Sequence, residues 1–190
     1  MKAICIIGSP HSDGSTARLV GRVADGMRAS GIAVVQRVLS ELDIHDCRGC
    51  RSCEVSRRCV QRDDMDAVIE DILSADIVLL ASPSYWGDVT GRMKVFIDRC
   101  LPLCNAKSGE TPVPKGKIGI GVAVRAGQAR AENEDLLRTF RHYLGHLGIE
   151  MVADLTVERV DCPADLEAKP EKLNEAYRLG MTIREHLHTA

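Results

Sequence analysis

No run of apolar residues in this 190-residue sequence is long enough to cross a bilayer as a helix, so a membrane-spanning reading is excluded. Neither sign of charge dominates. The 25 Lys and Arg stand against 27 Asp and Glu, a formal net charge of −2. No global excess therefore points to nucleic acid or to a membrane surface as a partner. The opening MKAICIIGSP has too short an apolar stretch for a secretion signal and runs straight into a Gly-Ser-Pro loop. The expected compartment is the cytoplasm, where thiols stay reduced. There is no internal repeat and no low-complexity tract, and the length suits a single domain over residues 1–190. Aromatic residues are scarce, with one Trp, three Tyr and two Phe, so an adjacent pair of them carries weight.

What is present is an alternation of strand and helix patterns from end to end. That alternation predicts an α/β domain: a parallel sheet with helices on both faces. Short apolar runs at 3–7, 77–81 and 118–124 read as buried central strands. The runs at 34–39 and 151–157 are broken by polar residues and read as edges. Helices are expected from about residue 15 to Gly31, from Asp63 or Asp64 onward, over 92–103, over 128–147 and over 164–187. Residues 41–62 and 105–116 read as loops, the latter exposed. Five strands with apolar first, third and fourth members fit a doubly wound sheet of order 2-1-3-4-5. Ligands then bind at the carboxyl ends of the strands, at the switch between strands 1 and 3. The loops there are 8–16, 82–91 and 125–128.

The first loop reads Gly8-Ser9-Pro10-His11-Ser12-Asp13-Gly14-Ser15-Thr16. Small residues ahead of a helix let backbone N–H groups close around an anion, helped by the helix N-terminus. The hydroxyls of Ser9, Ser12, Ser15 and Thr16 can donate to phosphate oxygens. No lysine follows Gly14, so this is not a triphosphate loop, and G-x-G-x-x-G is absent. A phosphomonoester fits best; the alternative is a Ser-rich turn that only caps a helix. Asp13 must then point to solvent. The second loop reads Ser82-Pro83-Ser84-Tyr85-Trp86-Gly87-Asp88-Val89-Thr90-Gly91 and holds two adjacent aromatics. A planar ligand can stack on such rings. A pair that closes the loop or meets another subunit is the alternative.

Eight cysteines are many for a reduced protein of this size, and four of them, Cys47, Cys50, Cys53 and Cys59, form a C-x2-C-x2-C-x5-C run. So compact a run can hold a [4Fe–4S] cluster. Zinc more often takes two separated C-x2-C pairs, and free thiols that merely pack are the third reading. Arg48, Arg51, Arg57, Arg58 and Arg62 crowd the same loop and can offset a cluster's negative charge, dock an acidic partner, or simply be solvated. Cys5 reads as core. Cys100 and Cys104 are expected to pack near the ligand-binding end, and Asp98 and Arg99 to pair with each other. His142 and His146, one turn apart on a helix, could hold a metal, but surface or interface histidines are the commoner case and they are left out of the site.

Three segments together, GSPHSDGST at 8–16, the cysteine run ending in DDM at 47–65, and SPSYWGDVTGRMKVFIDR at 82–99, resemble the NADPH-dependent FMN reductase and iron–sulfur flavoprotein group of flavodoxin-like proteins. The resemblance spans nearly the whole chain. It implies a flavodoxin-like fold and an FMN-dependent oxidoreductase or electron-transfer flavoprotein. The FMN phosphate would lie on Ser9, His11, Gly14, Ser15 and Thr16, with His11 where the family usually has Arg and Ser15 where it has Asn. The isoalloxazine would lie in Pro83, Ser84, Tyr85, Trp86 and Gly87. Arg125 and Gly127, in the third loop, would also bind the cofactor, Arg125 by placing positive charge near the flavin. It further implies Cys47, Cys50, Cys53 and Cys59 as cluster ligands, and a homodimer or homotetramer. Electrons would pass between the cluster and FMN, with a ferredoxin-like partner. The other functional expectation is a cluster-free NAD(P)H-dependent FMN or quinone reductase, with a small quinone-type acceptor. A thiol-based redox sensor is the third.

Overall fold

The computed structural model describes residues 1–104 and 110–188. Five parallel strands form one sheet in the order β2-β1-β3-β4-β5. They are β1 (Lys2–Ile7), β2 (Ala33–Val38), β3 (Ile77–Pro83), β4 (Ile118–Val124) and β5 (Glu150–Val157). This is the flavodoxin-like doubly wound arrangement expected. The helices are α1 (Ser15–Ala29), α2 (Cys53–Ser56), α3 (Met65–Ser74), α4 (Gly91–Arg99), α5 (Arg130–His146), α6 (Pro163–Glu167) and α7 (Pro170–Thr182). Among the described residues, no helix is long and apolar enough to cross a membrane.

Both faces of the sheet are covered, which is why its central strands read as unbroken apolar runs. Along β1 the pleat sends Ala3, Cys5 and Ile7 to one core and Ile4 and Ile6 to the other. The first core lies under α1 and α7, the second under α3, α4 and α5. Leu19, Val20, Val23 and Met27 on α1 and Leu136, Leu137, Phe140 and Leu144 on α5 are fully buried, each such side chain contributing about 1.5–3 kcal/mol. The helices α1 and α7 touch backbone to backbone. A Cβ on Gly26 would stand 2.1 Å from the Tyr177 carbonyl oxygen, and one on Gly180 would stand 2.0 Å from that of Val23. Only glycine permits that approach.

The structure departs from expectation in three places. Residues 41–62 are not wholly loop, since Cys53–Ser56 makes a helical turn. The long last helix is two helices. Lys169 leaves helical geometry (φ −120°, ψ 63°) ahead of Pro170, whose ring also removes an N–H, so α6 stops and α7 restarts. The 92–103 helix ends at Arg99 and gives way to a 3-10 turn at Leu101–Leu103. Of the loop expected at 105–116, residues 105–109 lie outside the described residues, and Val113 is buried.

Candidate functional site

At the carboxyl edge of the sheet, beside the β1/β3 switch, lies a cavity of about 560 Å³. The first loop lines it with Ser9, His11, Gly14, Ser15 and Thr16, the second with Pro83, Ser84 and Tyr85, and the third with Arg125. Those residues were expected together, and the structure brings them together. The turn between β1 and α1 leaves Gly14 as the helix N-cap with no side-chain capping bond, and no acid stands in the first turn of α1. The amides and positive end of a 15-residue helix are thus turned on an anion site with nothing competing for them. Asp13 is exposed, yet it also lines the cavity.

Two buried hydroxyls join the loops. Thr90 Oγ1 donates to the Gly8 carbonyl at 2.6 Å and accepts from Met93 N at 3.2 Å, so one side chain caps α4 and ties it to the first loop. Ser82 Oγ accepts from Thr90 N at 3.1 Å. Arg125 lies beneath the third loop with its side chain only 13% exposed, paired with Glu132 at 2.6 Å and donating to the Ala129 carbonyl at 2.9 Å. A Cβ on Gly127 would come within 2.5 Å of the Arg125 guanidinium, so Gly127 serves by leaving room for Arg125 rather than by lining the cavity.

Four expected residues do not line the cavity: Ser12, Gly127, Trp86 and Gly87. Tyr85 N and Asp88 N each donate to the other residue's carbonyl, at 2.9 and 3.1 Å, closing a two-residue turn. Its central residues Trp86 and Gly87 both have positive φ, 56° and 78°. Such a turn favours Asn-Gly. Here it holds the single Trp fully exposed at its tip. The sequence also missed the loop after β5, which brings Val160, Asp161, Cys162 and Pro163 to the cavity wall. The signal available was its position at the same sheet edge.

The cysteine loop is pinned at its neck. Asp43 N donates to the Asp64 carboxylate at 2.8 Å, Asp64 N to the Asp43 carbonyl at 3.0 Å, and Gln61 Nε2 to the Asp46 carbonyl at 3.0 Å. Beneath it Asp63 and Arg99 form a fully buried two-pronged ion pair at 2.7 and 2.9 Å. Arg99 also donates to the His45 carbonyl at 2.6 Å. Burial would raise the Asp63 pKa, but bonds from Arg99, His45 and Met65 outweigh it and hold the carboxyl well below the usual range. The expected Asp98–Arg99 pair does not form. Neighbours on a helix point apart, and Asp98 instead meets Lys94 at 2.5 Å, one turn away.

Within the loop all four cysteines are free; Cys53 is buried and Cys47 and Cys50 are exposed. Burial raises the Cys53 thiol pKa, and Cys59, Cys47 and Cys50 add to the rise. Hydrogen bonds from Ser52 lower that of Cys50. Among the described residues, no three His, Cys, Asp or Glu side chains converge on one ion-sized point. Elsewhere burial pushes the Cys5 and Cys100 thiols up to about 12, as suits inert core residues. Cys100 and Cys104 line a groove beside α5, not the cavity at the sheet edge.

Residues 1–158 match the NADPH-dependent FMN reductase family. The chain belongs to that family. An iron–sulfur flavoprotein of Archaeoglobus fulgidus is 39% identical over 132 residues, covering 70% of this chain and 58% of that protein. The chain thus spans little more than half the length of that relative. YwqN of Bacillus subtilis, named provisionally as an NAD(P)H-dependent FMN-containing oxidoreductase, is 27% identical over 94% of this chain and 96% of its own. Among solved structures, an NAD(P)H:quinone oxidoreductase from Methanothermobacter marburgensis shares the fold at a TM-score of 0.74 and 14% identity, covering 96% of both chains.

The cavity of this FMN reductase family member fits the cofactor on its own evidence. Ser15 Oγ, Ser84 Oγ and Arg125 Nε are buried polar atoms with no hydrogen-bond partner in the protein, and all three residues line it. Buried donors are rarely left unpaired, so three on one cavity wall mark the place of a polar ligand.

Proposed function

We propose that the protein binds FMN in the cavity at the sheet edge and passes electrons between it and a [4Fe–4S] cluster held by Cys47, Cys50, Cys53 and Cys59. The observation that carries the FMN site is the trio of partnerless buried groups on one cavity. Ser9, Ser15 and Thr16 with the α1 amides hold the phosphate, and His11 stands at the rim. Pro83, Ser84 and Tyr85 hold the ring, while Arg125, its charge paired with Glu132, offers its unpartnered Nε–H to the polar edge. Bound there, FMN supplies a carrier that exchanges electrons in ones or twos, the property needed to join a pyridine nucleotide or quinone to one-electron partners.

The cluster reading rests on the compact C-x2-C-x2-C-x5-C spacing and on the name of the Archaeoglobus relative. A cubane takes one thiolate per iron, so its ligands stand apart instead of converging as those of a single ion do. Arg99 suits such a site: its hydrogen bonds to Asp63 raise its pKa against burial and Cys59 adds to the rise, which keeps a fixed positive charge near that residue. The reading extends to a homodimer or homotetramer in the cytoplasm, served by a ferredoxin-like donor.

A second reading, a cluster-free NAD(P)H-dependent reductase of FMN or a small quinone, is favoured by the end-to-end match to YwqN. The deciding experiment is anaerobic purification followed by an absorption spectrum with iron and sulfide assays. Flavin bands over a broad shoulder, with about four irons per chain, support the cluster. A clean flavin spectrum without iron, with rapid NAD(P)H oxidation, leaves the second reading. A colourless chain that takes up no added FMN overturns both.

A further inference from the structure

The groove between α4 and α5, distinct from the cofactor cavity, is about 500 Å³ and mostly apolar, with Ile97, Leu101 and Leu147 on its wall. Two imidazoles stand on its rim. His142 and His146 lie four apart on α5, the separation that places two side chains over one another on a helix face. Their rings meet edge to face at 4.6 Å, and their Nε2 atoms are 3.2 Å apart. Zinc–imidazole bonds of 2.0–2.1 Å in a tetrahedron put neighbouring nitrogens about 3.3 Å apart. The two Nε2 atoms therefore already span one edge of a coordination tetrahedron, and each has a lone pair when its ring is neutral and carries its proton on Nδ1.

The surroundings suit a cation. Arg138 and Arg141, the basic neighbours on the same helix, are each neutralised by a carboxylate, Asp135 at 2.6 Å and Asp154 at 2.7 Å. On the facing helix Lys94 is neutralised by Asp98. Gly145 leaves the helix bare beside the pair, since a Cβ there would meet nothing within 4 Å. An ion thus reaches the nitrogens from solvent.

We propose that His142 and His146 form a two-imidazole site for a divalent transition cation such as Zn²⁺. The Nε2 atoms supply two ligands, and the remaining positions stay open to water or to an added ligand entering from the groove. Cys47 and Gly49 of the cysteine loop line the same groove, but the proposed site uses none of that loop's thiols, and its failure would leave the FMN and cluster readings untouched. Spacing of two histidines at i and i+4 on one helix is the device that helical zinc sites use, and the converging nitrogens distinguish this pair from two unrelated surface rings.

The test uses the FMN-loaded chain labelled with ¹⁵N at histidine. Zn²⁺ is added until the cysteine loop and any further site are filled. The Nε2 signals of His142 and His146 are assigned from H142A and H146A, both exposed and tolerant of truncation. The expected result is that both signals move together to the metal-bound position, while His11 and His45 stay. Removing either histidine then weakens zinc binding at the other by at least about tenfold, no less than losing a group behind a metal ligand costs. The double variant binds one zinc fewer per chain. If the two signals do not move, if only one moves, or if H142A leaves the His146 response unchanged, the rings are merely hydrogen-bonded to each other and the proposal is overturned.

Discussion

Replacing Arg99 with Met keeps most of the apolar stem and removes the charge. Asp63 then stays fully buried with only the His45 and Met65 amides and the His45 ring to serve it. Breaking a buried pair from one side costs about 3–5 kcal/mol, because the remaining charge is stranded. For a chain of this size that lowers Tm by about 6–20 °C. The pH dependence follows from the direction of the Asp63 shift. Its folded pKa lies below the unfolded value of about 3.9, so the folded chain binds fewer protons there than the unfolded one. The stabilisation is whole above that value and is lost as pH falls toward the folded pKa. In R99M the carboxyl protonates more readily, so the gap between wild type and variant is largest near pH 7 and shrinks below about pH 4. The assay is urea unfolding followed by circular dichroism, at one fixed excess of FMN so that ligand binding adds equally to both. A loss under about 1 kcal/mol, or a gap that widens in acid, refutes the view that this pair holds the neck of the cysteine loop.

Ser15→Ala removes one of the partnerless donors in the cavity. A hydrogen bond to a charged group contributes about 1.5–3 kcal/mol, so FMN affinity falls about tenfold to a hundredfold in a fluorescence-quenching titration, and an unchanged Kd removes Ser15 from the phosphate site. Gly180→Ala forces α1 and α7 apart and destabilises by about 1–3 kcal/mol or more, read as a lowered Tm; an unchanged Tm contradicts the packing described. Trp86→Asn gives the turn a residue suited to positive φ and raises stability by about 1 kcal/mol, read as a higher Tm; an unchanged or lower Tm would show that the turn does not strain Trp86.

The sheet was legible because a parallel strand covered on both faces must be apolar at every position. Ile4 to Ile7, Ile77 to Ala81 and Ile118 to Val124 could hardly be anything else. Gln36, Arg37 and Asp154 marked the edges. Most of the cavity was legible too, since the strand order itself dictates which loops converge. What the spacing could not show were partners distant in sequence. Asp63 and Arg99 are 36 residues apart, and nothing in either neighbourhood announces the other. The break at Pro170 was in plain view, but the apolar repeat of Leu173, Ala176 and Tyr177 was extended backward across it. Asp161 and Cys162 carry no phosphate-binding signature and come to the cavity only because β5 ends there. Trp86 was assigned to the ring site by its neighbourhood, whereas the backbone of its own turn aims it at solvent.

The helix α4 joins the two places where chemistry is proposed. Its first turn is capped by Thr90, whose hydroxyl also holds the Gly8 carbonyl, so this end is locked to the cofactor cavity. Its last residue is Arg99, which grips Asp63 and the His45 carbonyl under the neck of the cysteine loop. Nine helical residues rise about 13 Å. A helix bonded at both ends cannot easily stretch or pivot, so within one chain the separation between cavity and cysteine loop is fixed by the length of α4 and not by the mobility of either loop. Arg99 then serves two ends at once. Its hydrogen bonds to Asp63 set where the loop sits, and its charge, too buried to be screened by salt, acts on Cys59 at a constant distance. A lysine at this position would keep the charge but lose the two-pronged grip, which is why the geometry calls for arginine.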